Sequence, residues 1–156
     1  MQASYRHRQI SRPTVASFIV LTVLLSLPFF FTGPHLILFV AIAPIFALVA
    51  LVHWIVYSMT VEVSGQELRW HFGPGFWRKR IALADIARVK RVRLPWSYGI
   101  GIKYTPRAWT YLVAPGEGIE VETTSSKTVR IGTDDAARLM GALTSRRSCL
   151  AHKPSI

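Results

Sequence analysis

Residues 13–61 read PTVASFIVLTVLLSLPFFFTGPHLILFVAIAPIFALVALVHWIVYSMTV. None of these 49 positions is Asp, Glu, Lys or Arg. An uncharged apolar stretch of about 18 residues or more is the signature of a membrane-spanning helix. The tripeptide Thr32-Gly33-Pro34 interrupts the run, and a Gly-Pro pair marks a turn. The sequence therefore predicts a hairpin of two spanning helices, at about residues 14–31 and 36–57.

The charges outside this run predict its orientation. The chain has 19 Lys and Arg residues against 8 Asp and Glu residues, and its net charge is +11. All eight acidic residues lie between Glu62 and Asp135, whereas residues 1–12 carry three arginines. Because Lys and Arg next to spans stay on the cytoplasmic side, we predict a multi-pass protein of the inner (cytoplasmic) membrane with both termini in the cytoplasm. The positive charge also favours anionic lipids or an acidic partner.

After the hairpin, apolar residues recur at every second position. Leu68, Trp70 and Phe72 alternate with polar residues and lie on one face of a predicted strand. Six further strands are predicted at residues 61–63, 76–81, 87–93, 109–113, 119–123 and 127–131. Seven short strands separated by turn residues indicate a β-sandwich or a small barrel.

The apolar period becomes helical after residue 133. The helical spacing joins Ala136, Leu139, Met140 and Leu143. Thr133 or Asp134 can cap such a helix through its side-chain oxygen. The sequence therefore predicts one helix that closes the open end of the β domain.

Three phrases of this domain are similar to those of a known family. They are LRWHFG at 68–73, RIALADI at 80–86 and VRIGTDD at 129–135. Placed after two spans, they resemble the small bacterial integral membrane proteins that have a C-terminal pleckstrin-homology-like (PH-like) domain. The resemblance extends over about residues 14–145. It implies a mainly β domain of about seven strands, a partly open barrel of two orthogonal sheets with one C-terminal helix, and it brings no catalytic residues.

These observations divide the chain into four parts. Residues 1–12 are predicted to be a basic cytoplasmic tail, and residues 13–59 the two-helix transmembrane hairpin. Residues 60–145 are the predicted PH-like β domain with its closing helix, and residues 146–156 a predicted flexible tail.

Lipid contact is predicted from charge and from interfacial aromatic residues. Eukaryotic relatives of the PH fold often bind phosphoinositides around the first hairpin, but the turn here, SGQE at 64–67, has no Lys or Arg. The cations lie in two other clusters, Arg78, Lys79 and Arg80, and Arg88, Lys90, Arg91 and Arg93. Near a membrane each such residue contributes about 1 kcal/mol of attraction to anionic lipid, although a solvated basic face is the alternative. Trp54 and Tyr57, at the end of the second span, are predicted interface anchors.

The segment 94–108 is the predicted partner-binding surface. It combines aromatic and basic side chains at Trp96, Tyr98, Lys103, Tyr104 and Arg107. Rings and guanidinium groups suit a protein surface or the lipid interface because they supply contact area at low entropic cost. The alternative is that Trp96 and Tyr98 fold back as a local lid over the barrel. Gly99 and Gly101 lack the strand-to-helix context of a phosphate cradle.

The sequence offers no credible catalytic set, metal site or cofactor site. An acid-base set could be built from His71 and Asp85 or from Glu120 and Glu122, but these two glutamates alternate with apolar residues, which indicates the solvated face of a strand. A single cysteine, Cys149, excludes an internal disulfide and a Cys-rich metal site. His53 is the one ionisable residue well inside the second span, and we expect it to face headgroups or water.

We therefore expect a non-enzymatic, membrane-anchored PH-like binding module. Its expected partners are the lipid bilayer and a membrane protein that it contacts, or organises into an assembly, at the cytoplasmic face. The alternative is an anionic-lipid sensor that acts through the basic clusters. Positive charge alone is compatible with nucleic acid, but the chain has no recognisable reading helix and is tethered to a membrane.

Overall fold

The computed structural model describes residues 5–33 and 35–151, without the side chains of Thr32, Arg147 and residues 149–151. Its elements in chain order are β1 (Tyr5–Ile10), α1 (Arg12–Thr32), α2 (Leu36–Val56), β2 (Ser58–Ser64), β3 (Glu67–Phe72), β4 (Phe76–Ala82), β5 (Ile86–Leu94), β6 (Gly101–Thr105), β7 (Ala108–Leu112), β8 (Gly116–Thr123), β9 (Thr128–Gly132) and α3 (Ala136–Ala151). Short 3₁₀ helices occupy Leu83–Asp85 and Trp96–Tyr98. The side chain of Cys149, the single cysteine, lies outside the described part of the chain.

The two predicted apolar helices are confirmed as α1 and α2, each of 21 residues. Both are long and apolar enough to cross a membrane, and none of the α2 residues is buried. Ser11 caps α1, because its hydroxyl oxygen accepts a hydrogen bond from the Thr14 amide at 3.2 Å. The helices pack side by side, with the rings of Phe18 and Phe46 6.1 Å apart. A helix that is apolar on all faces and unburied favours a non-aqueous environment.

The four-stranded sheet A has the order β1-β2-β3-β4, and all its pairs are antiparallel. Its first strand corrects the prediction of an N-terminal tail, because Tyr5–Ile10 pairs with β2 over six residues. The inward positions of β1 include the polar His7 and Gln9, so its sequence lacks the apolar alternation that marks a strand.

Strand β1 is also fastened to the start of α3. The His7 Nε2 atom lies 2.6 Å from the Asp134 Oδ1 atom, and the Tyr5 hydroxyl donates to Asp135 at 3.4 Å. Burial, and then the negative charge of Asp135, raise the pKa of Tyr5 above its usual range. A tyrosine hydroxyl is already protonated at neutral pH, and the raised pKa extends this donor state to higher pH.

The five-stranded sheet B has the order β5-β8-β9-β7-β6, in which only β7 and β9 are parallel. Strand β6 lies inside the segment 94–108, where no strand was predicted, and it pairs with β7 from Gly101 to Thr105. The described chain thus has nine strands instead of the predicted seven. They form two open sheets, and no closed barrel is present among residues 5–33 and 35–151.

The core lies between the two sheets. The Trp70 ring of sheet A meets the Tyr111 ring of sheet B edge-on, with 5.2 Å between centroids. Helix α3 packs against β2, β5 and β8, and its predicted apolar stripe is buried at Ala136, Leu139 and Leu143. The helix continues to Ala151, so the predicted flexible tail is helical from residue 146 to residue 151. Residues 152–156 lie outside the described part of the chain.

Candidate functional site

The predicted basic cluster on β4 is divided between two faces of sheet A. The register pairs Lys79 with the buried Trp70, so Lys79 lies on the inner face. Arg80 pairs with Arg69 on the outer face, and Arg78 alternates to the same side. The three adjacent cations therefore do not form one patch.

Strand β1 brings two further arginines to the outer face of sheet A. One row of paired positions across this face runs through Arg6, Glu62, Arg69 and Arg80. We refer to Arg6, Arg8, Arg69, Arg78 and Arg80 as the outer arginine face. Only Glu62 and Glu67 are acidic there, and the Glu67 carboxylate lies 2.7 Å from the Arg69 Nη2 atom. The surface was missed in the sequence because it depends on the pairing of residues 5–10.

The basic cluster on β5 is partly neutralised by acids of β8. The Lys90 Nζ atom lies 3.0 Å from the Glu122 carboxylate, and Arg91 pairs with Glu117. Arg88 and Arg93 are exposed, and no carboxylate of the described residues lies within 4.0 Å of either. The local excess of positive charge is therefore smaller than the sequence suggests.

The predicted interface anchors lie where α2 meets the β domain. Trp54 is 53% exposed, and its ring lies 6.3 Å from that of Phe76. Tyr57 accepts a hydrogen bond from Arg8, whose guanidinium lies 5.4 Å from the Tyr57 ring centre.

One helical turn before Tyr57, the His53 Nε2 atom lies 3.1 Å from the Ser17 hydroxyl. This serine of α1 is a neighbour that the sequence did not identify.

The predicted partner-binding residues also divide between two faces, here of sheet B. Tyr98 folds back over the outer face, where its ring lies 5.8 Å from the Arg130 guanidinium. Lys103 lies on the same face, beside Gly99. Trp96, in the 3₁₀ helix that carries Tyr98, is 68% exposed.

Tyr104 lies on the opposite, inner face of sheet B. Its ring meets that of Trp109 edge-on at 5.5 Å, and the two side chains are 67% and 50% exposed. Arg107 lies in the turn between β6 and β7, in a left-handed conformation with φ of 68°. Strand β6 ends sheet B, so its outer edge has no strand partner within the described chain.

The prediction of a solvated Glu120 is wrong. Glu120 is 13% exposed, and its carboxylate lies 2.7 Å from the Arg130 Nε atom, which belongs to a side chain that is 19% exposed. The Arg130 Nη1 atom also donates to the Thr105 hydroxyl at 3.2 Å. Glu120 is therefore committed to a covered ion pair.

Within the described residues, no cluster of three or more His, Cys, Asp or Glu side chains is placed to hold a metal ion.

No family model, curated protein or solved structure matches this chain. The layout of two apolar helices, a mainly β domain and a C-terminal helix is compatible with the resemblance described above. The PH-like and bacterial assignments stay predictions.

Proposed function

We propose that this chain is a membrane-anchored, non-catalytic binding module that contacts a membrane protein partner at the cytoplasmic face of the inner membrane. The observation that carries the proposal is a group of exposed aromatic side chains on the β domain. They are Phe76, Trp77, Tyr104 and Trp109, each between 45% and 67% exposed. Exposed rings of this kind are typical of recognition surfaces, where they supply most of the binding energy.

Two features support anchoring with both ends of the hairpin on one side. Strand β1 precedes α1 and pairs with β2, which follows α2. At the junction, the Ser11 amide donates to the Tyr57 carbonyl at 2.7 Å. The first and last residues of the hairpin therefore lie together, and the basic flanks favour the cytoplasmic side for both.

The β6–β7 hairpin is the part of the surface best suited to a protein partner. It combines the Tyr104–Trp109 ring pair with the cation Arg107 at its tip. The unpaired edge of β6 adds backbone donors and acceptors, which a partner strand can use. Tyr104 is therefore the residue that we expect to contribute most to partner binding.

The test is affinity purification of the tagged full-length protein from crosslinked native membranes. We expect one stoichiometric protein partner, and we expect Tyr104→Ala to reduce its recovery by about thirtyfold, as for a residue worth about 2 kcal/mol at an interface. Trp96→Ala is the matched control, because Trp96 is equally exposed but lies on the 3₁₀ helix over the other face. Deleting residues 94–108 is a poorer test, since it would remove β6 and the buried Leu94 and Ala108.

Two results would contradict this function. One is purification of the protein without any partner under crosslinking conditions. The other is an equal loss of partner in Tyr104→Ala and Trp96→Ala, which would indicate that the β6–β7 hairpin has no special role.

The outer arginine face supports a second candidate function, the sensing of anionic lipid headgroups. Its five arginines exceed its two glutamates, and three separate strands contribute them. In detergent-solubilised full-length protein, we expect co-purified phosphatidylglycerol to be enriched over phosphatidylcholine and to be lost as salt rises. Arg6→Glu with Arg80→Glu should abolish the enrichment, whereas Arg88→Glu with Arg93→Glu should not. Enrichment of phosphatidylglycerol that persists at high salt and in the variant Arg6→Glu with Arg80→Glu would exclude headgroup sensing by this face.

A further inference from the structure

A cleft remains open between the two sheets on the side that α3 does not cover. Helix α3 packs against β2, β5 and β8, whereas the cleft lies between β4 on sheet A and β6, β7 and β9 on sheet B. Its volume is about 820 Å³. This lies within the range of roughly 300–1,000 Å³ that is usual for small-molecule sites. We call this space the sheet cleft.

The floor of the sheet cleft is apolar and aromatic. Trp70, Phe72 and Tyr111 form its buried base, and each is at most 5% exposed. Ile81, Ile102 and Val129 line its walls. Such a surface gains free energy when hydrocarbon displaces water from it.

One buried polar atom in this floor lacks a partner. The Trp70 Nε1 atom is inaccessible to solvent and has no hydrogen-bond acceptor among the described residues. Leaving a buried donor unpaired costs free energy, but a ligand in the cleft does not reach an atom that is closed to solvent. The floor thus combines a large apolar area with a single orphan donor.

The mouth of the cleft holds an aromatic residue in a strained conformation. Trp77 has a φ of 44°, in the left-handed region that bulky side chains rarely adopt, and it is 62% exposed. Trp109 faces the same space from sheet B and is 50% exposed. Strain that is retained without burying the side chain is typical of functional positions.

The rim of the cleft is positively charged. Lys79, Arg80 and Lys127 line it, and no acidic residue does. Among residues 5–33 and 35–151, no carboxylate lies within 4.0 Å of the Lys79 or Lys127 amine. The rim therefore complements a ligand that carries negative charge at one end.

The cleft reaches the end of the second apolar helix. Val56, the last residue of α2, is one of its lining residues. The β3–β4 turn also abuts this helix, since a Cβ atom at Gly73 would lie 2.8 Å from the Ile55 carbonyl oxygen. If α2 crosses the bilayer, the cleft opens at the level of the headgroups.

We propose that the sheet cleft binds one acyl chain of an anionic membrane lipid. The chain lies against Trp70, Phe72 and Tyr111, and Lys79 and Lys127 hold the charged headgroup at the rim. This proposal rests on the membrane anchoring proposed above, and it is independent of the protein partner.

The test uses the full-length protein in nanodiscs made of phosphatidylcholine with a trace of phosphatidylglycerol that carries a diazirine on one acyl chain. After photolysis, mass spectrometry identifies the labelled peptides. We expect labelling in β6, β7 or β9 in addition to α1 and α2. Diazirine-phosphatidylcholine should label the helices equally well but the strands far less.

Charge reversal at the rim provides the specific variant. Lys79→Glu with Lys127→Glu should lower the labelling of the strands by about tenfold or more, while labelling of the helices stays constant. Arg88→Glu with Arg93→Glu changes the net charge equally and should leave the strand labelling unchanged. Ile102→Trp fills the cleft without changing its charge, and it should also suppress labelling of the strands.

The outcomes separate this proposal from the anchoring on which it rests. Labelling of α1 and α2 without the strands would overturn the cleft proposal alone. Absence of labelling in the helices as well would overturn the anchoring. A further experiment places a photoreactive residue at position 102 and crosslinks it in native membranes. Capture of a protein segment without any lipid would show that the cleft binds a peptide. That result would also overturn the proposal.

Discussion

A chain that begins with Met followed by Ser11, and so lacks β1, is expected to lose about 3 kcal/mol of stability in its β domain. Removal of β1 breaks six paired positions along β2 and exposes the edge of a strand whose Met59, Val61 and Val63 belong to the core. It also removes the contacts of Tyr5 and His7 with the start of α3. Each lost hydrogen bond is worth about 1 kcal/mol net, offset by the entropy that the strand regains.

Hydrogen exchange measured by mass spectrometry checks this prediction. In the truncated chain we expect faster exchange in β2 and at the start of α3, but not in sheet B. Arg6→Gln with Arg8→Gln is the control, because it removes the same two charges and keeps the strand. Unchanged protection of β2 in the truncated chain would mean that β1 is not part of the domain.

The case of β1 shows which part of the fold can be predicted from sequence. The two apolar helices were predicted within two residues of their observed ends, because 49 uncharged positions are a strong and local signal. A six-residue edge strand with His7 and Gln9 on its inner side has no such signal. Its place is fixed by β2, which lies about 50 residues later in the chain.

Strand β6 was missed for a related reason. Its sequence, GIKYT, begins with glycine and is followed by Pro106, so local composition favours a loop. These residues form a strand because they pair with β7. The register of this pairing then places Lys103 and Tyr104 on opposite faces of the sheet. Composition identified the aromatic and basic character of the segment, but only pairing divides it into two surfaces.

The surfaces themselves were only partly predictable. The cations of β4 and β5 were identified, but their acidic partners come from other strands, and the outer arginine face includes residues that were assigned to a tail. The sheet cleft could not be predicted, because it is a gap between β4 and three strands of sheet B. The exposure of Trp77 and Trp109 at its mouth likewise becomes visible only in the folded chain.

Glu120→Ala is expected to destabilise the β domain by about 3 kcal/mol. The Glu120–Arg130 pair is mostly covered, and Tyr98 lies over the Arg130 guanidinium. Removing one partner of a buried pair leaves the other charge uncompensated, which costs about 3–5 kcal/mol in fully buried cases. The expected cost lies at the lower end of this range because both side chains retain some contact with solvent.

Replacing both partners should cost much less than replacing one. Glu120→Leu with Arg130→Met removes the uncompensated charge and is expected to fall within about 1 kcal/mol of the original protein. Urea denaturation of the full-length protein in detergent, followed by tryptophan fluorescence, measures each variant. The matched control is Glu122→Ala, which breaks the neighbouring but more exposed pair with Lys90 and should cost about 1 kcal/mol or less.

The same series tests whether Tyr98 acts as a cover for this pair. If the ring over Arg130 excludes water, Tyr98→Ala should lower stability and should also reduce the cost of a second substitution, Glu120→Ala, because the exposed guanidinium can then be hydrated. Additive costs would show that the ring and the ion pair act independently. Glu120→Ala could lower the free energy of unfolding by no more than Glu122→Ala does. That result would contradict a covered ion pair between Glu120 and Arg130. This face of the strand would then be solvated, as its alternating sequence suggests.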